Sequence, residues 1–491
     1  MSKRRKILIG FLALIVIIAG VVFWITRGDT AELAVDEVAG TDPTLTQPRS
    51  ETIPTVNIAE PVGWADGEAP LAADGLEVTR FAEGLDHPRI VYTMPNGDVL
   101  VTLTNRPASE GDGGIVDMIM GWLFAKAGAG DPSPNKLVLL RDADGDGRAE
   151  VNRVLRDDLD SPSGIAWRDG TLYIAEHDAL VSFTYEEGAD TLEGEPTKLM
   201  DLAPGGNHWM RNIAIDPSGE AIYVAVGSAS NIAEKGLALE EGRAMIWEYD
   251  LASKRQSPFA TGLRNPNGLA FNPQTDELWT TVNERDMLGS DLVPDYLTNV
   301  PIGAQYGWPW VYWGDNVDMR VDPGESPMPR YLVEYTRKPE YALGPHVAAL
   351  GLAFAREGNR MGAQYGSGAF IARHGSWNRK PASGYDVVFV PFDNRGNPVE
   401  GSTPVPILTG FLTGAGTTRG RPTWVSFAND GALLVSDDTA GIIWRVIAPG
   451  AEAAPRMERE SYQSLPPRRE LRGDPTAAFE EDYAREVNAT D

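Results

Sequence analysis

The sequence predicts an all-β fold, a six-bladed β-propeller preceded by an N-terminal transmembrane helix. Three observations predict it. One loop–strand–turn–strand phrase occurs six times in the middle of the chain, no strong amphipathic helix interrupts these copies, and an apolar run lies close to the N-terminus. A compact unit made from most of 491 residues has to be a large architecture such as a barrel, a propeller or a repeat array.

The first element is the uncharged apolar run at 7–26, which follows four basic residues at 3–6. The run has about the length of one membrane-spanning helix, and basic flanks stay on the cytoplasmic side. We therefore expect 1–28 to be an uncleaved, single-pass anchor in a bacterial inner membrane, with the rest of the chain in the periplasm. A cleaved signal peptide is the alternative, and it places the same residues outside the cytoplasm.

Two polar segments flank the predicted propeller. Residues 29–75 are rich in Asp, Glu, Thr and Pro without a sustained period, which is typical of a flexible acidic linker. Residues 449–491 are charged and predict an exposed tail. The propeller is therefore expected over 76–448.

The repeated phrase defines the blades. Each copy pairs two β-type runs across a tight turn, which is the pattern of a β-hairpin, and a ring of such hairpins is a propeller. The six copies lie at 85–102, 159–176, 208–226, 264–282, 349–373 and 421–438.

Equivalent positions of every blade face the same mouth of the central channel. Just before the core run of their copies stand His208, Arg264, His346, Arg419 and Arg421. The chain has 43 basic against 70 acidic residues, a net charge of −27, so nucleic acid is an improbable partner. Cations gathered at one mouth of such a chain predict a bound polyanion, because Arg is the best donor to carboxylates and phosphates.

Three segments carry a resemblance to a known family. GLRNPNGLAFNP (262–273), TVNERDMLGSDLVPD (281–295) and AQYGWPW (304–310) resemble the glucose/sorbosone dehydrogenases, of the soluble aldose sugar dehydrogenase type. The resemblance covers roughly 76–448. It implies a six-bladed propeller that oxidises an aldose sugar, or a related alcohol or aldehyde, with pyrroloquinoline quinone (PQQ) and Ca²⁺ as cofactors.

The resemblance also implies residue roles. His208 matches the general base, Arg264 and Asn265 match the pair over the quinone, and His346 lies in the same register. Arg419 and Arg421 match a pair of cofactor-binding arginines. Either Arg373 or His374 takes the place of the family's lysine, with Arg379 and Lys380 as nearby alternatives. The family's early-blade Gln has no counterpart here. Carbonyl ligands of the site calcium are expected from Glu284, Arg285 and Asp286, and the Asp286 side chain offers a carboxylate.

The implied chemistry suits these residue types. PQQ is a planar quinone with three carboxylates, which suits a cationic mouth. Imidazole titrates nearest to neutral pH, so His208 is the natural proton acceptor, and Arg264 is placed to stabilise negative charge on a quinone oxygen. The chain has no Cys, hence no CxxCH haem motif. Electrons must then pass to a separate quinone or cytochrome.

A second metal motif lies at 141–150. Asp142, Asp144 and Asp146 alternate before Gly147, as at the start of a calcium loop. The twelfth position is Arg153 rather than Glu, which argues against an EF-hand. The motif is either a turn held by structural calcium or an acidic hairpin tip.

Two other functions fit a six-bladed architecture. A calcium-dependent hydrolase of the gluconolactonase type would need a cage of carboxylates at the mouth, whereas the predicted mouth residues are Arg and His. A non-catalytic binding propeller on a membrane tether is the other alternative.

Overall fold

The structure, a computed structural model, describes residues 28–107, 115–321 and 328–457, with single positions 5, 9, 12, 15, 17 and 20 before them. No helix in these ranges is long and apolar enough to cross a membrane. The predicted span at 7–26 lies outside the described residues apart from those single positions, as does the predicted tail beyond 457.

Four strands precede the first blade. They are β1 (Ala39–Gly40), β2 (Glu60–Pro61), β3 (Leu71–Ala72) and β4 (Glu77–Ala82), with a 3₁₀ turn at Val35–Val38.

The first three blades follow one another along the chain. Blade 1 is β5 (Pro88–Thr93), β6 (Val99–Leu103), β7 (Lys136–Arg141) and β8 (Val151–Arg156), with helix α1 (Ile115–Lys126) between β6 and β7. Blade 2 is β9 (Ile165–Arg168), β10 (Thr171–Ala175), β11 (Ala179–Thr184) and β12 (Thr197–Asp201). Blade 3 is β13 (Arg211–Ile215), β14 (Ala221–Val226), β15 (Met245–Asp250) and β16 (Gln256–Thr261), with a 3₁₀ turn at Leu237–Glu240.

Blades 4 to 6 complete the ring. Blade 4 is β17 (Asn265–Phe271), β18 (Leu278–Asn283), β19 (Pro294–Asn299) and β23 (Tyr341–Pro345). Between β19 and β23 the chain forms the short strands β20 (Ala304–Gln305), β21 (Val311–Tyr312) and β22 (Asn316–Val317) and helix α2 (Met328–Tyr335). Blade 5 is β24 (Ala349–Phe354), β25 (Gly368–Arg373), β26 (Asp386–Pro391) and β27 (Val405–Thr409), with a 3₁₀ turn at Ala363–Tyr365. After the short β28 (Thr417–Thr418), blade 6 has β29 (Pro422–Phe427), β30 (Leu433–Asp437) and β31 (Ile442–Ile447).

The six predicted hairpins are confirmed as the two inner strands of the six blades, and the inner strands contact one another around the ring. Glycines in the repeated phrase make this contact close. A Cβ on Gly164, Gly268 or Gly351 would lie 2.4–2.6 Å from the backbone of the next blade. The glycine of the phrase is thus required by blade-to-blade packing.

Blade 6 is closed from the other end of the sequence. Its outermost strand is β4, which pairs antiparallel with β31. The repeated phrase carries no sign of this pairing, because the two strands are about 360 residues apart.

Residues 29–75 are docked on the propeller, which corrects the expectation of a flexible linker. β1 extends blade 4 and β3 extends blade 5, while β2 pairs with β28. Outside these strands, Ala31 N donates to Lys380 O, and Trp64 Nε1 donates to Asp437 Oδ2. The segment lacks a hydrophobic period because it binds mainly through its backbone and does not build a core of its own. We call residues 29–75 the strap.

Candidate active site in the mouth of the propeller

The mouth is the end of the ring at which the loops before the inner strands meet the loops that join the second and third strands of each blade. Five of these loops, at 203–210, 227–244, 284–293, 374–385 and 438–441, carry most of the polar side chains described below.

His208 lies half-buried in the loop before β13. Its Nδ1 is 2.8 Å from the carbonyl oxygen of Ser228, so Nδ1 carries the proton and Nε2 keeps its lone pair. Burial, and then the positive charge of Arg264, lower the pKa of His208 to about 3. The ring is therefore neutral at physiological pH, with Nε2 as its accepting nitrogen.

Arg264 is buried beside His208, and every donor nitrogen of its guanidinium has a partner. Nε donates to Asn231 O, Nη1 to Glu284 O at 2.6 Å, and Nη2 to Asp286 Oδ2 at 2.9 Å. Its neighbour Asn265 adjoins the histidine, because a Cβ on Gly227 would lie 2.3 Å from Asn265 Oδ1 and 2.6 Å from His208 Cβ. The predicted group of His208, Arg264 and Asn265 is thus assembled in space.

Asp286 and His346 extend this group. Asp286 Oδ1 accepts from Asn378 Nδ2 at 2.8 Å and lies 3.6 Å from His346 Nδ1, while His346 Nε2 donates to Gly289 O. Burial alone would raise the pKa of Asp286, but the Arg264 guanidinium reverses this and holds it well below its usual range. Burial alone would lower the pKa of His346, yet the nearby Asp286 carboxylate raises it.

The calcium site expected at 284–286 does not fit these residues. The Arg285 side chain is fully buried and points away from the mouth, donating to Pro309 O and Val311 O. The Glu284 carboxylate receives Arg285 Nε, and the Glu284 carbonyl receives Arg264. Among the described residues, guanidinium groups thus already occupy the Glu284 carbonyl, the Glu284 carboxylate and the Asp286 carboxylate, and calcium would need such oxygens as ligands.

A further guanidinium occupies the next carbonyls of the loop. Arg320 Nη1 lies 2.9 Å from both Asp286 O and Met287 O. The buried carboxylate of Asp318 holds its other two nitrogens at 2.9 and 2.8 Å. A tethered cation therefore stands where the loop would offer its carbonyls to a metal.

A second cationic group lies across the mouth, on blades 5, 6 and 1. His374 Nε2 is 3.0 Å from Asp438 Oδ2, and Arg89 Nη1 is 3.1 Å from the same oxygen without forming a directed hydrogen bond. Arg421 Nη2 donates to Tyr385 OH, and its guanidinium lies 5.2 Å from that ring. Within the described ranges, Arg89 Nε and Arg421 Nε are buried without a hydrogen-bond partner.

The charged residues of this second group shift one another's pKa values. Burial alone would raise the pKa of Asp438, but His374 and Arg89 hold it well below its usual range. Burial lowers the pKa of His374, and Asp438 opposes that shift. Burial also lowers the pKa of Arg89. Buried guanidinium donors that lack partners are costly unless an anion satisfies them, so this group is suited to a carboxylate ligand.

Two predicted cofactor contacts lie elsewhere. The Arg373 guanidinium pairs with Asp386 inside blade 5 and donates to Leu343 O, so it is a structural residue. Arg419 turns toward the strap, where it lies 3.4 Å from Glu68 Oε2 and 5.7 Å from the Trp64 ring. The strap supplies partners that the sequence pattern did not anticipate, and these draw Arg419 out of the mouth.

Four residues of the mouth were not predicted from the sequence: Arg89, Asn231, Asn378 and Asp438. Arg89 lies over the Trp209 ring at 5.4 Å, directly beside the loop of His208. Its signal in the sequence is a charged residue inside the otherwise apolar strand β5. Asn231, Asn378 and Asp438 lie in connecting loops for which the repeat defines no register.

The acidic motif of blade 1 forms a compact turn away from the mouth. The carboxylates of Asp142, Asp144, Asp146 and Glu150 lie within reach of one ion. Asp142 also accepts three backbone N–H groups of its own turn, from Gly145, Asp146 and Gly147. Structural calcium at this turn stays a prediction.

The amino-acid sequence is related to known proteins. The TrAA12-like family model matches residues 137–300 and 332–448, more than half of the chain. A PQQ-dependent pyranose dehydrogenase of Coprinopsis cinerea is 25% identical over 360 residues, which cover 65% of this chain and 44% of that protein. These findings confirm the relationship to PQQ-dependent sugar dehydrogenases that the motifs indicated.

Two solved structures share the fold. A Trichoderma reesei protein of carbohydrate-active enzyme family AA12 superposes with a TM-score of 0.62 at 21% identity, covering 77% of this chain and 97% of that one. The PQQ domain of the Coprinopsis cinerea pyranose dehydrogenase gives 0.61 at 20% identity, covering 79% and 100%.

Proposed function

Since the chain belongs to the TrAA12-like family, we propose that it is a PQQ-dependent dehydrogenase that oxidises an aldose sugar, or a related alcohol or aldehyde, in the mouth of the propeller. One observation carries the proposal. Among the residues that the structure describes, the same mouth holds buried guanidinium nitrogens without hydrogen-bond partners and a neutral histidine whose Nε2 has no hydrogen-bond donor. The Coprinopsis cinerea relative, named for PQQ and for a pyranose, supports the chemical class.

The unpartnered donors fit the cofactor. Arg89 and Arg421 would hold its carboxylates, because an ionised acceptor satisfies a buried guanidinium better than a neutral one does. The Tyr385 ring under Arg421 and the Trp209 ring under Arg89 fix the two guanidinium planes. PQQ supplies, when bound, an acceptor for two electrons and is the destination of the substrate hydride.

His208 would take the proton. As the C–H bond of the substrate carbon breaks with its electron pair, the hydroxyl O–H proton passes to His208 Nε2, and the carbon–oxygen bond becomes a carbonyl. The hydrogen bond from Nδ1 to Ser228 O orients the ring for this step. Arg264 is fixed by Asn231, Glu284 and Asp286. It would place positive charge near the quinone oxygen on which negative charge develops.

Two further parts of the proposal concern the surroundings of the enzyme. Without Cys the chain cannot carry a CxxCH haem, so a separate quinone or cytochrome would receive the electrons. The apolar run at 7–26 after the basic residues 3–6 supports an inner-membrane anchor with the propeller in the periplasm. A cleaved signal peptide would give the same side of the membrane.

A binding and turnover experiment tests the function. The full chain is extracted in detergent and titrated with PQQ while the cofactor's absorption is followed, and dye reduction is then measured with a panel of sugars and alcohols. We expect saturable PQQ binding and dye reduction with at least one aldose. Absence of both would refute the proposal, and hydrolysis of a sugar lactone without dye reduction would favour the gluconolactonase-type alternative.

A further inference from the structure

We propose that the mouth side of the propeller lies against the lipid bilayer, with helix α1 in the membrane interface. The inference goes beyond the catalytic proposal and rests on the proposed anchor at 7–26 for the choice of a lipid partner. Large apolar side chains are exposed around the mouth on four separate segments: α1, the 3₁₀ turn of blade 3, the loop after β22 and the strap.

Helix α1 is apolar on nearly all sides. Its sequence IVDMIMGWLFAK contains only one acidic and one basic residue, and Met118 and Trp122 are 69% and 61% exposed. A helix that is hydrophobic all round is normally buried in a protein core or in a membrane. Apolar side chains exposed together in this way mark an interaction surface.

The end of α1 is fixed next to the candidate active site. Gly128 O accepts from His87 Nε2 at 3.0 Å. A Cβ on Gly128 would touch Pro61 of the strap at 3.0 Å and Thr439 of blade 6 at 3.1 Å. The helix therefore rises from the mouth beside Asp438, and its exposed side chains belong to the mouth side of the molecule.

The other exposed apolar residues adjoin site loops. Leu237 and Leu239 are exposed in the 3₁₀ turn whose Glu240 binds Ala229 N, next to the Ser228 partner of His208. Met319 is 88% exposed beside Arg320, whose guanidinium binds the carbonyls of Asp286 and Met287.

The strap contributes to the same rim. Ile53 and Val62 are exposed on it, close to Asn57, which binds Trp377 O and Arg379 O of blade 5.

The start of the described chain identifies lipid as the partner. Asp29 Oδ2 accepts from Ser290 N, and Ala31 N donates to Lys380 O, so the chain is docked on the mouth rim from residue 29 onward. The apolar run ends at Thr26, and three residues of chain span at most about 10 Å. A membrane anchor at 7–26 thus brings the rim of the mouth, and no other face, to the bilayer surface.

Charge points to apolar insertion as the mode of contact. With 43 basic and 70 acidic residues, the chain has no excess of cations to attract anionic headgroups. Interfacial helices bind in proportion to the apolar area that they bury. Contact is therefore expected on zwitterionic vesicles, and it should not weaken with added salt.

The absence of Cys makes a clean test. Single cysteines are introduced by Met118→Cys, Leu237→Cys and Met319→Cys in the full chain, with Val154→Cys and Val405→Cys on the outer edges of blades 1 and 5 as exposed apolar controls. Each variant is labelled with an environment-sensitive fluorophore and reconstituted into phosphatidylcholine vesicles. We expect nitroxide lipids to quench the three rim labels and to leave both controls bright.

Two results would overturn the proposal. Rim labels that aqueous iodide quenches as fully as it quenches the controls would show that the rim faces water. Rim labels shielded from both iodide and lipid nitroxide would show a protein partner or a second copy of the chain in place of lipid. PQQ affinity is measured on the same samples, so a failure of the proposed function registers separately from the lipid readout.

Discussion

Two pairs of guanidinium groups in the mouth differ in how they are satisfied, although Arg211 and Arg243 beside the His208 loop also keep one buried nitrogen each without a partner among the described residues. On one side, Arg264 and Arg320 are fully paired with carbonyls and carboxylates of the protein. On the other side, Arg89 and Arg421 retain buried nitrogens without partners among the described residues. We call these the paired side, with His208, and the open side, with His374. Similar residue types thus suit two proposed purposes: a fixed electrostatic environment and a binding surface for an anion.

The largest effect is expected on the paired side. His208→Ala should lower kcat by about 10²–10⁴-fold, because it removes the proposed proton acceptor, while PQQ affinity stays close to that of the unaltered protein. Steady-state dye reduction and a PQQ titration measure the two quantities. His177→Ala is the matched control, since that ring contacts Asp160 on blade 2. Near-normal turnover of His208→Ala would refute the role of this residue.

The next largest effect is expected on the open side, where cofactor affinity rather than kcat should change. Arg421→Met or Arg89→Met should weaken PQQ binding by about 10–100-fold, the loss of one charge-assisted hydrogen bond, and kcat at saturating PQQ should fall far less. Arg356→Met is the control, because that guanidinium lies over Phe427 at the opposite end of the blades. A fall in kcat without a change in affinity would contradict the division between the two sides.

The pH dependence of kcat/KM tests the protonation state of His208 on the paired side. A pKa of about 3 keeps His208 neutral well below the ordinary range, so the active base form persists as the pH falls. We expect kcat/KM to stay level from pH 8 to pH 5, whereas a base of ordinary pKa would lose about tenfold per pH unit below pH ~6.5. Rates are measured with the PQQ-loaded protein. A decline that begins near pH 6.5 would show that the ring titrates normally.

The smallest effect is expected from metal removal. Because Arg320 already occupies the carbonyls of Asp286 and Met287, chelation with EDTA should leave PQQ affinity and turnover unchanged. Arg320→Met is the companion variant. It removes one donor from each of the two carbonyls, while Asn231 Nδ2 still donates to Asp286 O, and it should reduce turnover because it loosens the loop that holds Asp286 against Arg264. Loss of PQQ binding by the unaltered protein in EDTA, with recovery on added Ca²⁺, would show that a metal acts at the mouth after all.

Much of the fold was predictable because the hairpin repeat is local. Turn residues and alternating strands recur in each copy, and three of the six copies also carry the glycine that allows close contact with the next blade. The closure of blade 6 by β4 was not predictable, since its partner strand lies at the other end of the chain. The prediction that the strap is a flexible linker was wrong. Its composition shows that it forms no core of its own, but composition does not reveal docking through the backbone.

The site was predictable as far as register determines it. His208, Arg264, His346 and Arg421 stand at equivalent places in their blades, and the structure places all four at the mouth. Register failed where a competing partner lay outside the repeat. Arg419 contacts Trp64 and Glu68 of the strap, and Arg373 pairs with Asp386 of its own blade. The roles of the four mouth residues stay predictions until the variants are measured.

The closure of blade 6 by β4 has a consequence for synthesis. β4 leaves the ribosome about 360 residues before β31, which at 5–20 residues per second is a delay of about 20–70 s. During that time β4 has an unpaired edge and the ring is open. The open side of the mouth needs Arg89 of the first blade beside Asp438 of the last. The proposed cofactor site is therefore complete only after blade 6 closes the ring, so PQQ binding is expected to follow completion of the chain.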